Sequence, residues 1–234
     1  MLFLNFRSVA AATATAFGAL LVSVPADAHD VSEQAQQMML DGNLLDVVWI
    51  GAEHMLTGYD HLLFLLGVLF FLTSTAQIVR FITAFTVGHT ITLLGATLLG
   101  INANAYLVDA VIALTVCYKA LENLGVFQRW LGEKAPNLLY VVFVFGLIHG
   151  FGLSTRLQQM TLAQDPGLVG KILAFNVGVE FGQIAALLLM AGVVRLWRET
   201  TVWQPVMRAS NAGLLTAGIA LFAVQISAFA SGAL

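Results

Sequence analysis

The sequence predicts an all-α fold, a polytopic membrane helix bundle with about six transmembrane helices, and three observations support this fold class. Of the 234 residues, 59% are hydrophobic and only 10% are charged, whereas soluble domains carry about a quarter charged residues. The mean hydropathy is +0.87. The apolar residues fall into runs of about 20, the length that a helix needs to cross the hydrocarbon of a lipid bilayer.

The first 28 residues have the features of a cleaved signal peptide. Arg7 precedes an apolar run over residues 9–24, and Ala26 and Ala28 form the small-residue pattern that signal peptidase recognises. Cleavage at that point makes His29 the mature N-terminus. The alternative is an uncleaved first span.

Six predicted spans follow a polar lead-in. Residues 29–43 form this short periplasmic segment, and residues 44–234 form the transmembrane domain. The spans are predicted at about 45–72, 78–99, 106–124, 137–157, 168–196 and 212–229. The loops between them are short, so consecutive spans alternate in direction.

The distribution of basic residues predicts the orientation, because cytoplasmic loops carry an excess of Lys and Arg. With the N-terminus outside, only Arg156 and Lys171 lie at outer ends. Seven basic residues then lie at inner ends: Arg80, Lys119, Arg129, Lys134, Arg195, Arg198 and Arg208. We therefore expect both termini in the periplasm and the chain in the bacterial inner membrane. Nothing indicates nucleic acid, since the sequence has no basic cluster or stripe.

An internal echo suggests a repeat. The segment AFTVG at 84–88 in the second span resembles AFNVG at 174–178 in the fifth, at an offset of 90 residues. Three helices separate the two segments, so they would cross the membrane in opposite directions, as an inverted 3+3 repeat requires. Transporters commonly bind their substrate where such repeats meet. The alternative is a chance match among small and apolar residues.

The first span carries three ionisable side chains within an otherwise apolar segment. They are His54, Asp60 and His61, with Glu53 beside them. Ionisable groups at membrane depth are costly, and they usually face the interior of a bundle. The two histidines are two helical turns apart and share a face if the helix is continuous, although Gly58 between them is able to bend it.

Three later spans carry further polar side chains near their centres. His89 follows Gly88, His149 lies among glycines, and Glu180 follows Gly178 by two residues. Glu180 also belongs to a polar stripe with two amides at helical spacing. Four polar groups at one depth on four helices favour one metal site. A hydrogen bond between helices is the alternative for any single histidine. We interpret Asp109, near the outer end of the third span, as a snorkelling or structural acid.

The chemistry of these side chains indicates the class of metal. Imidazole and carboxylate together suit Ni²⁺, Co²⁺, Zn²⁺, Fe²⁺ or Cu²⁺, and the site has no thiolate. The candidate ligands are His54, Asp60, His61, His89, His149 and Glu180. Supporting or weaker candidates are His29, Glu53, Thr90, Asn176 and Gln183.

Four segments resemble the HupE/UreJ family of membrane proteins and together cover nearly the whole mature chain. They are HMLTGYDH at 54–61, FTVGHTITL at 85–93, FGLIHGFG at 145–152 and FNVGVEFGQ at 175–183. The first is also similar to the His/Asp signature of nickel-cobalt transporters. Met55 follows the first histidine where the better-described branch has proline, so the chain looks more like a second branch of the family.

The resemblance implies a secondary permease for nickel or cobalt that serves hydrogenase or urease maturation. It implies that His54, Asp60 and His61 form the metal motif, and that His89, His149 and Glu180 match other recurrent polar positions. Our leading hypothesis is such a permease, in which metal–proton exchange is a natural coupling because metal binding releases protons.

Two further hypotheses remain open. One is an accessory or assembly protein for a metalloenzyme of the hydrogenase or urease type. The other is an integral-membrane metalloenzyme, but the sequence contains no His-Glu-x-x-His motif, and we expect no enzymatic activity. A permease needs polar paths to both faces of the membrane, whereas an enzyme needs only one vestibule.

Overall fold

The computed structural model describes residues 33–70, 72, 74–130, 132, 136–159 and 165–232. Every regular element within these residues is a helix, which confirms the predicted all-α bundle. The predicted signal peptide, its cleavage site and His29 lie outside the described residues, so they stay predictions. The lead-in at 29–43 is described from residue 33 onward and contains one short helix.

The described residues form nine helices. They are α1 Glu33–Asp41, α2 Leu44–Thr57, α3 Tyr59–Leu69, α4 Thr75–Leu99, α5 Ala105–Asn123, α6 Val126–Trp130, α7 Leu138–Gln159, α8 Leu168–Arg198 and α9 Trp203–Ala230. By length and composition, α4, α7, α8 and α9 can each cross a membrane. The other two predicted spans correspond to the pair α2–α3 and to the 19-residue helix α5.

Two predicted boundaries differ from the observed helices. The first predicted span is two helices, because the chain is extended at Gly58. The sixth span was expected from residue 212, whereas α9 begins at Trp203. The hydrophobic run marks only the part of α9 that is apolar, and Pro205 is tolerated because it lies in the first turn, where its missing N–H would have no partner within the helix.

Local side chains determine where several helices begin. At the start of α2 the Asn43 Oδ1 atom accepts from the backbone N–H of Asp46, and Asp46 Oδ2 accepts from that of Asn43, at 3.2 and 2.9 Å. This reciprocal cap satisfies amides that have no partner within the helix. Ser74 and Asn104 cap α4 and α5 in the same way, each with one hydrogen bond.

Helices α4 and α7 pack at backbone contact through glycines. A Cβ atom on Gly88 would collide with the carbonyl oxygen of Phe143, and one on Gly146 would collide with that of Phe85. Glycines at such positions let the helix backbones approach closely, which is a common basis of helix association in membranes.

Helices α2 and α8 repeat this packing. A Cβ atom on Gly178 would collide with the carbonyl oxygen of Val48, and one on Gly51 would collide with that of Phe175. Each residue of α8 in these contacts lies 90 positions after its counterpart in α4. Each residue of α2 lies 95 positions before its counterpart in α7. The second helix pair therefore reproduces the first contact by contact, as the predicted inverted repeat requires.

The directions of the helices agree with the same arrangement. Along α4, Thr83 and then His89 contact Glu180 and then Asn176 of α8, so the two helices are antiparallel. Helix α5 is antiparallel to α9 as well: its residue Asn123 contacts Asn211, and Cys117 contacts the later residue Leu215.

The two ends of the bundle differ in charge. Arg156 and Lys171 lie at the end where α7 finishes and α8 begins, and Lys171 donates to the carbonyl oxygen of Leu40 at 2.7 Å. Arg198 lies at the opposite end, where it donates to the carbonyl oxygen of Leu72 at 3.2 Å. Lys134 lies outside the described residues, and the grouping of the basic residues and the assignment of these ends to membrane faces remain predictions.

Candidate metal centre

The centre is built on a helix break at Gly58. This residue has φ −71° and ψ 105°, so it ends α2 and precedes α3. Its φ is accessible to any residue, and glycine is required for space, because a Cβ atom there would collide with Nδ1 of His61. The continuous helix that would have placed His54 and His61 on one face is therefore absent. The break itself brings the two rings together, with centroids 5.1 Å apart.

Asp60, His61 and His149 form a compact group of candidate ligands. Each offers one ligand atom, and these atoms all lie within 4.8 Å of one another. Nδ1 of His61 is 3.0 Å from Oδ1 of Asp60. All three residues are at most 5% exposed. Two imidazoles and one carboxylate in a site shielded from water match the donor preference of borderline divalent transition metals.

A hydrogen bond to the backbone orients His149. Nδ1 of its ring lies 2.7 Å from the carbonyl oxygen of Phe145, so Nδ1 carries the proton and donates it. Its Nε2 atom is buried and has no hydrogen-bond partner among the described residues. A metal-binding histidine is typically held in this way, with one nitrogen fixed by a carbonyl group and the other left for the ion.

A small cavity of about 10 Å³ joins this group to three more ionisable side chains. This volume is about that of a single water-sized probe, which suits one water molecule or one ion. Besides Asp60, His61 and His149, it is lined by His54, Asp109 and Arg156. His54 is therefore part of the same centre, although it contributes no atom to the tight group of three.

The centre lies where the two repeats meet. His54 and His149 differ by the same 95 positions that relate α2 to α7. His54 packs on the ring of Phe175 with centroids 5.5 Å apart, and His149 packs on that of Phe85 with centroids 5.1 Å apart. These two pairs are equivalent under the repeat, so a histidine from each half lines one shared cavity.

His89 and Glu180 belong to a second polar group, the ladder between α4 and α8. Nδ1 of His89 donates to Oδ1 of Asn176 at 2.8 Å. The Thr83 hydroxyl donates to Oε1 of Glu180 at 2.7 Å. One layer further along α8, Oε1 of Gln183 accepts a hydrogen bond of 3.2 Å from a threonine of α4.

The sequence had grouped His89 and Glu180 with His61 and His149 by depth alone. In the structure His89 and Glu180 form their hydrogen bonds within the ladder, and the ring of Phe85 packs against both His89 and His149, with its centroid 6.1 and 5.1 Å from theirs. Depth along a span gives a position on the bundle axis, but it does not show which neighbours a side chain faces.

Two of the weaker candidates, Thr90 and Glu53, do not line this cavity. Thr90 donates to the carbonyl oxygen of Thr86 at 2.7 Å, within its own helix. Glu53 is exposed, whereas Asp60 and His61 are buried. His29 lies outside the described residues. The structure therefore brings the first motif, His149 and His54 together around one cavity, and Glu53 and Thr90 do not line it.

Asp109 and Arg156 are the site residues that sequence reasoning missed. Asp109 is only 5% exposed, and Nη2 of Arg156 donates to its Oδ2 atom at 3.1 Å. Both line the cavity beside the candidate ligands. A signal was present, because an acid near the start of the third span and a base near the end of the fourth lie at the same end of the bundle.

A larger cavity of about 530 Å³ opens at the opposite end of the bundle. Its lining includes Leu72, Ser74, Ile78, Leu188, Arg195 and Arg198. We call this larger cavity the vestibule. The ladder lies between the vestibule and the candidate metal centre, because its contacts, from His89 to Gln183, run toward the vestibule along both α4 and α8. Polar groups therefore continue from the centre toward that end.

Comparison with known families identifies the chain. The family model described as HupE / UreJ protein matches residues 29–231, which is most of the sequence. Comparisons with curated proteins and with solved structures find no match. The match includes all four segments that resembled the family, as well as the helix break and both polar groups. The apolar helices and this match together show that the chain is a membrane protein and belongs to the HupE/UreJ family.

Proposed function

We propose that the chain is a secondary permease for a divalent transition-metal ion, with Ni²⁺ as the favoured substrate and Co²⁺ as the next. The observation that carries this proposal is the buried group of Asp60, His61 and His149 beside a broken helix, at the meeting point of two repeats. Discontinuous helices at repeat interfaces are where many secondary transporters bind ions. Family membership supports nickel or cobalt as the substrate.

The donor set argues against a dedicated path for Cu(I). Cys117 is buried against α9, where its Sγ atom contacts the carbonyl oxygen of Leu215 at 3.9 Å, and it does not line the metal cavity. Soft thiolate and thioether ligands select Cu(I), whereas imidazole and carboxylate select the borderline divalent ions. Ni²⁺, Co²⁺, Zn²⁺, Fe²⁺ and Cu²⁺ all fit this chemistry, and the family favours the first two.

Asp60, His61 and His149 capture the ion in this proposal, and His54 completes the set from across the helix break. Asp60 lies in the first turn of α3. The N-terminal end of a helix carries partial positive charge, which favours the ionised carboxylate that metal binding requires.

The ladder serves as the relay from this centre to the vestibule. His89, Asn176, Glu180 and Gln183 supply imidazole, amide and carboxylate groups between the two cavities. The ring of Phe85 packs against His149 of the centre and His89 of the ladder, so the ion would pass beside this ring. Polar groups toward both ends of the bundle favour a permease over an enzyme with one vestibule.

Proton exchange is the proposed coupling. Metal binding requires neutral imidazoles and ionised carboxylates, so loading the site releases the protons that these side chains hold. Glu180 on the ladder is a carboxylate suited to carry a proton in the opposite direction. We place the permease in the inner membrane with both termini in the periplasm, where it would supply the maturation of hydrogenase or urease.

Uptake by proteoliposomes tests the proposal directly. We expect the purified chain to accumulate radioactive Ni²⁺, and we expect Asp60→Asn and His61→Ala each to reduce the initial rate at least about tenfold, because each removes a ligand. Lys171→Gln is the matched control, since its ion pair with Asp165 lies outside the cavity.

Two results would decide against a permease. Wild-type rates in both Asp60→Asn and His61→Ala would remove the assigned site. A wild-type chain that gives no flux but copurifies stoichiometrically with a metalloenzyme complex would support the accessory role instead.

A further inference from the structure

The metal cavity contains a fixed cation and a second carboxylate that the proposed capture step does not use. Nη2 of Arg156 and Oδ2 of Asp109 form an ion pair of 3.1 Å. Both side chains line the cavity that Asp60, His61 and His149 line. The other oxygen of Asp109, Oδ1, lies over Gly152, 3.5 Å from where a Cβ atom would stand, so the missing side chain keeps this part of the cavity open.

The net charge of the cavity shows how the ion pair between Asp109 and Arg156 affects the binding of a metal ion. With neutral imidazoles, two carboxylates and one guanidinium leave one net negative charge, so a divalent ion brings the cavity to a net positive charge. Without the guanidinium, the two carboxylates would balance the ion. A buried charge that is left uncompensated is strongly unfavourable. The ion and Arg156 therefore compete for Asp109.

The two members of the pair differ in their freedom to move. The Asp109 side chain is 5% exposed and on a short stem, whereas that of Arg156 is 19% exposed. A long arginine side chain can keep its stem packed while its charged head moves into water. Asp109 therefore stays in the cavity, and Arg156 is the partner that can leave.

The internal repeat relates Arg156 to a candidate ligand in the other half of the molecule. Arg156 lies 95 positions after His61, at the same offset that relates His54 to His149 and Gly51 to Gly146. One half of the molecule thus supplies a candidate ligand at this position, and the other half supplies a cation. One half therefore contributes a group that favours metal binding in this cavity, and the other half contributes a group that opposes it.

We propose that Asp109 is an additional oxygen ligand of the metal ion and that Arg156 is a built-in competitor that sets how tightly the ion is held. This inference rests on the proposed permease function. In the structure described here Arg156 forms an ion pair with Asp109, and this ion pair weakens metal binding. When Arg156 moves outward, Asp109 joins the ion, and when it returns, it favours release.

Equilibrium dialysis of Ni²⁺ against the purified full-length chain tests the inference. We expect Arg156→Gln to bind Ni²⁺ about tenfold more tightly or better, and Asp109→Asn to bind it about tenfold more weakly, given the strength of charge interactions at partly buried sites. A residue with a purely structural role would not raise affinity when it is removed. Lys171→Gln, which breaks a different ion pair at the same end, should leave the Kd unchanged.

The double variant Asp109→Asn/Arg156→Gln completes the cycle. If Asp109 binds the ion, removing Arg156 should increase affinity much less in the Asp109→Asn background than in the wild type, so the two effects should not add. X-ray absorption of bound Ni²⁺ should show one more oxygen ligand in Arg156→Gln than in the double variant.

Three results would contradict either this inference or the proposed function, and they can be distinguished from one another. Unchanged or weaker binding in Arg156→Gln, while His61→Ala loses Ni²⁺, would overturn this inference and leave the permease intact. If Arg156→Gln does not fold, unchanged or tighter binding in Asp109→Asn is sufficient to overturn it. A wild-type chain that neither binds nor transports Ni²⁺ would overturn the proposed function, and the inference with it.

Discussion

At the scale of single residues, the hydrogen-bond partners of the buried histidines distinguish the candidate ligand His149 from His89. The ring of His149 is fixed by Phe145 through Nδ1, and its Nε2 atom lies buried without a hydrogen-bond partner in the described part of the chain. Nδ1 of His89 is fixed as well, but by the side-chain amide oxygen of Asn176 on a neighbouring helix. The same residue type at the same depth therefore has different neighbours and a different expected role.

Replacing these two histidines in turn should separate binding from passage. We expect His149→Gln to lower Ni²⁺ affinity at least about tenfold, because it removes a ligand from the group of three. His89→Gln should keep about the wild-type stoichiometry of bound Ni²⁺ and slow uptake. Dialysis and proteoliposome flux on the same preparations measure both quantities. Loss of bound Ni²⁺ in His89→Gln would place His89 in the centre itself.

At the scale of helices, backbone contacts through glycines fix the packing of α4 on α7 and of α2 on α8. Gly88 and Gly178 occupy equivalent positions on α4 and α8, and each faces a backbone carbonyl of its partner helix. Because a helix backbone cannot move aside as a flexible side chain can, an added methyl group must separate the helices. The candidate ligands on α2 and α7 lie within a turn or two of these contacts.

A methyl group at either glycine should therefore destabilise the bundle. We expect Gly88→Ala and Gly178→Ala each to lower stability by about 1–3 kcal/mol, the usual cost of overpacking. Gly95→Ala on α4 and Gly170→Ala on α8 are matched controls, since a Cβ atom at either position meets nothing within 4 Å. Thermal unfolding in detergent compares the four variants. Equal Tm values in all four would contradict the close approach.

The helix break is the second element-scale feature. Gly58 separates α2 from α3, and the fourth predicted span has no counterpart of this break within the described residues, since α7 is continuous from Leu138 to Gln159. The repeat at 95 positions places Leu153 of α7 where Gly58 lies in the first half. The two halves therefore share their glycine contacts and differ at the position that shapes the metal centre.

At the scale of the whole molecule, the distribution of charge and cavities gives the bundle two different ends. The end with Asp109 and Arg156 leads to the small metal cavity, and the other end opens into the vestibule of about 530 Å³. An alternating-access transporter requires such a difference, because only one side reaches the bound ion at a time.

Labelling of introduced cysteines tests the orientation of these ends. Asn102 and Gln128 are both exposed and lie beyond opposite ends of α5, and the native Cys117 is buried. We expect Asn102→Cys to react with an impermeant maleimide added to intact spheroplasts, and Gln128→Cys to react only after lysis. The unmodified chain controls for Cys117. The reverse pattern would invert the predicted topology and place both termini in the cytoplasm.

Composition and motif spacing alone determined the class of fold and the family, and they selected the residues of the candidate site. A chain with so few charges must satisfy its backbone within helices in the bilayer, and apolar runs of about 20 residues mark those helices directly. The same argument singles out His54, Asp60, His61 and His149, because ionisable residues are expensive in such a segment unless they serve a purpose.

Only the tertiary structure decided which of these polar groups belong together. Hydrophobic periodicity reports depth and helix face, but contacts between helices depend on packing of residues distant in the sequence. For this reason only the structure shows that His89 and Glu180 belong to the ladder and that Asp109 and Arg156 line the candidate metal cavity. The break at Gly58 was equally undetermined, since a glycine within a helix either bends it or permits close packing, and only the extended backbone observed at Gly58 shows which of the two occurs.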